Sequence, residues 1–225
     1  MNNDLVLWFF REDGPVETLT FLCLLVSSGF MLYVHWRRRS QPDKKRAKWC
    51  YLLLGLLFLF GAMEEISWGQ RIFHYQIEFV QKASSQNETN FHNLKMFQTL
   101  RNYGSWLKII GHPDRIFTLF MLFLTTLIPI LNATSKPVRN VLSRIQLPVT
   151  TWTVALSCVV SLIFPEMIDL VSESKWLHHL SQELQESMFA LTLLFFSLHE
   201  YRRPIRLAMP NTPEPIEVTA EVSGL

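Results

Sequence analysis

Two adjacent glutamates, Glu64 and Glu65, open the motif Glu64-Glu65-Ile66-Ser67-Trp68-Gly69-Gln70-Arg71, directly after an apolar run at 50–62. That run is too short to cross a bilayer, whose hydrocarbon core takes about 20 helical residues. A helix spanning at this point therefore draws both carboxylates to the membrane boundary or below it. Carboxylates at that depth are costly unless they are paired, metal-bound or facing a wet cavity. The plain alternative is that they end a helix in the headgroup layer.

Other acids and histidines have spacings that reach the same level. His179, Glu183 and Glu186 stand at i, i+4 and i+7, one face of one helix, and Glu166 and Asp169 stand at i, i+3. If the second helix continues past Trp68, then Glu64, Ser67, Arg71 and His74 also share a face. A mixed carboxylate and imidazole set suits Zn, Mn or Fe, and the expected metal ligands are Glu65, His92, His179, Glu183 and Glu186. A metal there would polarise an ester, amide or phosphoryl oxygen and activate water, with Glu64 as the base. Glu64, Glu65, Ser67 and Arg71 are the candidate catalytic residues. No His-Glu-x-x-His or comparable metal spacing is present, so the metal rests on convergence alone. Salt bridging by Arg71, Arg101 or Arg115 is the structural alternative, and a guanidinium pairs bidentately with a carboxylate.

The elements that must position these groups are apolar blocks. The chain of 225 residues is 49% hydrophobic, with 17 Phe and 7 Trp. Its apolar residues come in long runs, which points to an all-α, polytopic helical membrane protein. Five spans are expected, at about 16–36, 49–68, 115–131, 148–169 and 183–201, with Pro165 bending or ending the fourth. The first residues lack the basic region of a cleavable signal, so the first span is expected to be retained. Two amphipathic pieces, at 72–80 and 94–107, are expected on the membrane surface within the long connection 69–113. Residues 1–205 form one transmembrane domain, and the Pro-, Glu- and Thr-rich tail 206–225 reads as disordered. Cys23, Cys50 and Cys158 fall in or beside spans, which disfavours disulfides.

Net charge is only +2, but its distribution is uneven. Residues 37–48, 132–147 and everything after Leu198 hold 13 Lys/Arg against 5 Asp/Glu, and the remainder holds 8 against 14. The basic run at 37–48 lies between two apolar spans, so it reads as a cytoplasmic loop and not a nucleic-acid patch. Five spans with the N-terminus outside and the C-terminus inside satisfy the count. On that topology Glu17, Glu64, Glu65, Asp114, Glu166, Asp169, Glu183 and Glu186 all lie at outer span ends. His74, His92, His112, His178 and His179 share that side, while His35 and His199 read as inner and interfacial.

The motif at 64–71, together with Gln86-Asn87-Glu88-Thr89-Asn90-Phe91-His92-Asn93-Leu94 and Arg11-Glu12-Asp13-Gly14-Pro15-Val16-Glu17, resembles a family of uncharacterised bacterial membrane proteins. The resemblance implies a multi-pass protein of the bacterial inner membrane and supplies no activity. Glu17, Ser67 and the pair His178-His179 are also similar to ceramidase-like intramembrane hydrolases, which use Ser, Asp and His around zinc. This chain departs from them in having five spans and no late His-x-x-x-His.

Two functions follow as expectations. One is a metal-dependent hydrolase or transferase acting on a lipid or lipid-linked substrate at the outer leaflet. The other is a non-catalytic scaffold or transporter component whose acidic outer pocket is an ion network or binds a cation or partner. The bilayer is the expected partner in both, and nucleic acid in neither. Transport is disfavoured by the lack of an inverted repeat or a broken helix pair.

Overall fold

Pro15 opens the first helix, where its missing N–H costs nothing and its fixed φ suits the first turn. The helix, α1, runs Pro15–Arg39, with Glu17 in its first turn and Arg37, Arg38 and Arg39 in its last, so both ends complement the helix dipole. The computed structural model describes Trp8, residues 14–39, 49–73, Glu78, 83–84, 94–102, 112–171 and 175–203. Among the described residues the chain is all-helical, apart from an isolated antiparallel bridge between Ser84 and Leu94.

α2 is Trp49–Glu65, followed by a 3-10 turn at Ser67–Gly69 and the short α3, Gln70–Phe73. α4 is Lys95–Asn102 and α5 is Pro113–Leu122, which continues through a π turn, Phe123–Leu127, into α6, Ile128–Thr134. α7 is Lys136–Ile145, α8 Trp152–Val171 and α9 Lys175–Arg202. Among the described residues two stretches are long and apolar enough to cross a membrane: Pro15–Arg39, and Arg115–Thr134 across α5, the π turn and α6. The apolar part of α8, Trp152–Ile168, is shorter.

The helices pack around a core of large apolar side chains with hydroxyls set among them. α1 buries Thr20, Cys23, Leu24, Ser27, Ser28, Met31 and Val34, while Leu19, Leu22, Leu25 and Val26 are exposed. On α9, Ser187, Thr192, Ser197 and Glu200 are buried beside Phe189, Ala190, Leu193 and Phe196, and Phe195 is exposed. Small residues at these contacts let the helix backbones approach closely. Gly55 of α2 shows the approach: a Cβ there would lie 2.8 Å from the Leu32 side chain. Ser28 uses that proximity to donate to the Gly55 carbonyl at 2.8 Å.

α9 is tied to α1 by a Thr20–Ser187 hydroxyl pair at 2.9 Å, and to α8 by Ser161 and Thr192 at 3.5 Å. Phe117 of α5 meets Phe189 of α9 edge to face, 5.7 Å between ring centres. The π turn has a local cause. Pro129 has no N–H to give the carbonyl four residues back, that of Thr125. The buried Thr150 hydroxyl donates to that carbonyl instead, at 3.0 Å.

Several expectations change here. The loop 132–147 carries a helix, α7, whose inward Leu142 is buried and whose Val138 packs on the core. Arg139 of α7 donates to the Asn132 and Ala133 carbonyls and so caps the end of α6. Pro165 does not end the fourth helix, which runs through it to Val171. The fifth begins at Lys175, well before 183. The second stops at Glu65 and does not reach Trp68 as one helix. Helices lie at the positions of the five expected spans, and among the described residues two of those stretches are long and apolar enough to cross a membrane. The expected piece at 72–80 is described only at Ile72, Phe73 and Glu78, and of 94–107 the part Lys95–Asn102 is helical. The tail 206–225 lies outside the described residues.

Candidate functional site

The end of α2 is shaped by its sequence. Past Glu65 the backbone turns left-handed at three successive residues, Ser67 with φ 49°, Trp68 with φ 56° and Gly69 with φ 81°. Only glycine takes that conformation freely, and each non-glycine residue there costs roughly 1–2 kcal/mol. Trp68 is held in place by two contacts that offset the cost. Its ring meets Phe60 edge to face at 5.5 Å, and its indole N–H donates to the Glu64 carboxylate. The Gly69 N–H closes the turn on the Ile66 carbonyl at 2.8 Å. The turn breaks the helical register, so the condition for Glu64, Ser67 and Arg71 to share one helix face is not met, and His74 lies outside the described residues.

Around this turn the bundle gathers carboxylates from three helices. Glu64 is buried and Glu65 half-buried at the end of α2, Glu17 is half-buried in the first turn of α1, and Glu183 and Glu186 are half-buried on α9. The leading charges acting on Glu65 are, in falling order, Glu186, Glu17, Glu183 and Glu64. The Thr20–Ser187 pair pins α1 to α9 one turn further into the bundle, since Thr20 is i+3 from Glu17 and Ser187 is i+4 from Glu183. Gly61 approaches Leu24 at the same depth, a Cβ there lying 3.4 Å from Leu24 Cδ1. These contacts hold the three helix ends close enough for the acids to share one space.

Ser67 is the other notable group. Its side chain is fully buried, and its hydroxyl has no hydrogen-bond partner among the described residues. Buried hydroxyls almost always find a partner, so an exception in a strained turn beside carboxylates is a feature to explain.

Of the expected metal ligands, Glu183 and Glu186 are among the charges that act on Glu65. His92 and the side chain of His179 lie outside the described residues, as does the Arg71 side chain among the catalytic candidates. The bridge between Ser84 and Leu94 brackets the segment that contains His92. Among the described residues no three His, Cys, Asp or Glu side chains are arranged to hold a metal ion. Glu166 is exposed near the end of α8 and is not among the leading charges acting on Glu65.

Sequence reasoning missed a second polar cluster, at the opposite end. Glu200 is fully buried on α9 and accepts from the Tyr51 hydroxyl at 2.8 Å. Arg203 pairs with its other oxygen at 3.2 Å, and Arg38 lies 3.8 Å away. Arg38 also stacks over the Tyr51 ring at 4.5 Å, and Arg37 donates to the Arg203 carbonyl at 3.0 Å. The available signal was Glu200 itself, an acid inside a strongly basic helix end with Arg203 at i+3. Comparison with protein-family models, with curated proteins and with solved structures finds no match for this chain.

Proposed function

We propose that this is a five-span integral membrane protein that binds a cation at the Glu65 end of its bundle. In this reading 37–48, 132–147 and the C-terminus are cytoplasmic, and 69–113 faces outward, in a bacterial inner membrane as its motifs imply. Two stretches long and apolar enough to span, with leucines and phenylalanines exposed along them, support the membrane placement. Trp36, Trp49 and Trp152 are each more than 60% exposed, and all three belong to the basic end. Tryptophan at headgroup level beside Arg37 to Arg39 is the pattern of a cytoplasmic interface.

The observation that carries the binding reading is the set of glutamates from α1, α2 and α9 around Glu65. Like charges this close repel, and either shared protons or a cation relieve them. Carboxylate oxygens suit a hard ion such as Mn²⁺, Mg²⁺ or Ca²⁺, which would have to draw these glutamates closer, since among the described residues no three stand in a ligating arrangement. Contributions from His92 and His179 would move the preference toward Zn or Fe.

Metal content of the detergent-purified protein tests this directly. Wild type is expected to hold a divalent ion, and Glu65→Gln and Glu183→Gln to lose it while still inserting. A metal-free wild type whose melting temperature is unmoved by Mn²⁺, Ca²⁺, Mg²⁺ or Zn²⁺ would overturn the reading.

Ser67 favours a second reading, a hydrolase or transferase acting on a lipid substrate, in which Glu64 serves as base and the ion polarises the scissile group. Its buried hydroxyl lies three residues from Glu64, with no partner among the described residues. Product release from a mixed lipid extract, abolished in Ser67→Ala, is the expected result. A wild-type protein that holds metal and turns over no lipid leaves cation binding alone.

A further inference from the structure

At the basic end, α8 starts where α9 finishes, and the two helices leave a groove of about 410 Å³ between them. Its walls differ in chemistry. Thr151, Thr153 and Ser157 line it from α8, and His199 and Arg202 from α9, with Phe195 one turn below. Among the described residues neither His199 nor Arg202 is paired with a carboxylate: Glu200, their close neighbour in sequence, is turned inward to Tyr51, Arg38 and Arg203. The guanidinium of Arg202 and the ring N–H of His199 therefore remain available on the exposed side of α9.

The α8 wall complements that charge. The Thr151 carbonyl accepts the first helical bond from the Ala155 N–H at 3.0 Å, so Thr151 is the cap residue and the groove opens beside the positive end of the α8 dipole. The Thr151 and Thr153 hydroxyls stand 2.7 Å apart, one donating to the other, which leaves one proton free to turn toward the groove. Ser157 gives its proton to the Thr153 carbonyl at 2.9 Å and offers an acceptor. A guanidinium, an imidazole N–H, a hydroxyl and a helix N-terminus around one small space describe a receptor for a phosphate-sized anion.

The surroundings identify the carrier of that anion. Trp152, 63% exposed, stands beside the groove, and below it Phe195 and Leu156 are 58% and 64% exposed. An apolar face running down from a cationic mouth matches a headgroup with acyl chains attached, and a free phosphate would not use it. We infer that the groove between the start of α8 and the end of α9 binds the phosphate of one anionic phospholipid on the cytoplasmic side. This rests on the membrane reading above, and is independent of the cation site at the far end.

The test uses the full chain, delipidated in a non-ionic detergent and titrated with phosphatidylglycerol, phosphatidylcholine or sn-glycerol 3-phosphate. Native mass spectrometry counts bound lipid, and thermal unfolding reads stabilisation. Wild type is expected to retain one phosphatidylglycerol in preference to phosphatidylcholine. The double variant His199→Gln/Arg202→Gln should lose about tenfold in affinity, with Arg202→Lys retaining most of it. Thr153→Val, which leaves every charge in place, should weaken binding by a smaller factor. Equal retention of the two lipids, equal binding by the double variant, or glycerol phosphate competing as strongly as the lipid would each overturn the proposal. A chain that stays monodisperse without detergent would overturn the membrane reading itself, which separates the two failures.

Discussion

At one end of the bundle a single glutamate, Glu200, is surrounded by Tyr51, Arg38 and Arg203, and its two oxygens have named partners at 2.8 and 3.2 Å. At the other end Glu65 has four glutamates as the leading charges around it. Both ends are made by the same three helices, α1, α2 and α9. The first arrangement satisfies its charge within the protein and so reads as structure. The second brings several acids into one another's field, which is the basis for the cation site proposed there.

The sharpest way to break this contrast is Glu200→Gln. Removing one side of a buried pair leaves Arg38 without its counter-charge at a cost of roughly 3–5 kcal/mol, so thermal unfolding in detergent should show a large loss. A fall of under about 1 kcal/mol, the range of an exposed pair, would show that the Glu200 end is not the bundle's anchor.

Tyr51→Phe isolates the hydroxyl while keeping the ring under Arg38. The loss of one hydrogen bond to a carboxylate should cost about 1–2 kcal/mol. Unchanged stability would mean that the two arginines alone hold Glu200.

Trp68→Phe makes the matching cut at the other end. It keeps an aromatic ring against Phe60 and removes the indole N–H given to Glu64, with an expected loss of about 1 kcal/mol. A loss as large as that of Glu200→Gln would make the turn, and not the ion network, the point on which the fold depends.

The smallest stability effect is expected at Glu65→Gln. Taking one charge from a like-charged group relieves repulsion, so the metal-free protein should melt at or above the wild-type temperature. A marked drop instead would show Glu65 to be half of an ion pair, and the two ends would then be alike.

Much of the helical frame is legible from residue order, because the signals are local. The first helix is bounded by Pro15 and by Arg37 to Arg39, and its apolar block between them leaves little choice of element. Glu183 and Glu186 share a face by spacing alone, and span length carries Glu64 and Glu65 to a helix end. Other features are invisible at that level. The left-handed run through Ser67 and Trp68 exists because an indole finds Phe60 and Glu64, and no local propensity would place two non-glycine residues there. α7 was hidden in a basic stretch whose short apolar face needed the core to pack on.

Composition and order determined that this chain makes apolar helices, roughly where most of them lie, and that charge is unequally shared along the sequence. Tertiary structure decided which acids meet. Glu200 and Glu65 carry the same side chain at the same kind of place, the last turns of a helix, and sequence offers no means of ranking them. Their difference arises from what α1 brings alongside, Arg38 at one end and Glu17 at the other. Coulomb interactions act across helices, at distances that packing sets and sequence separation does not.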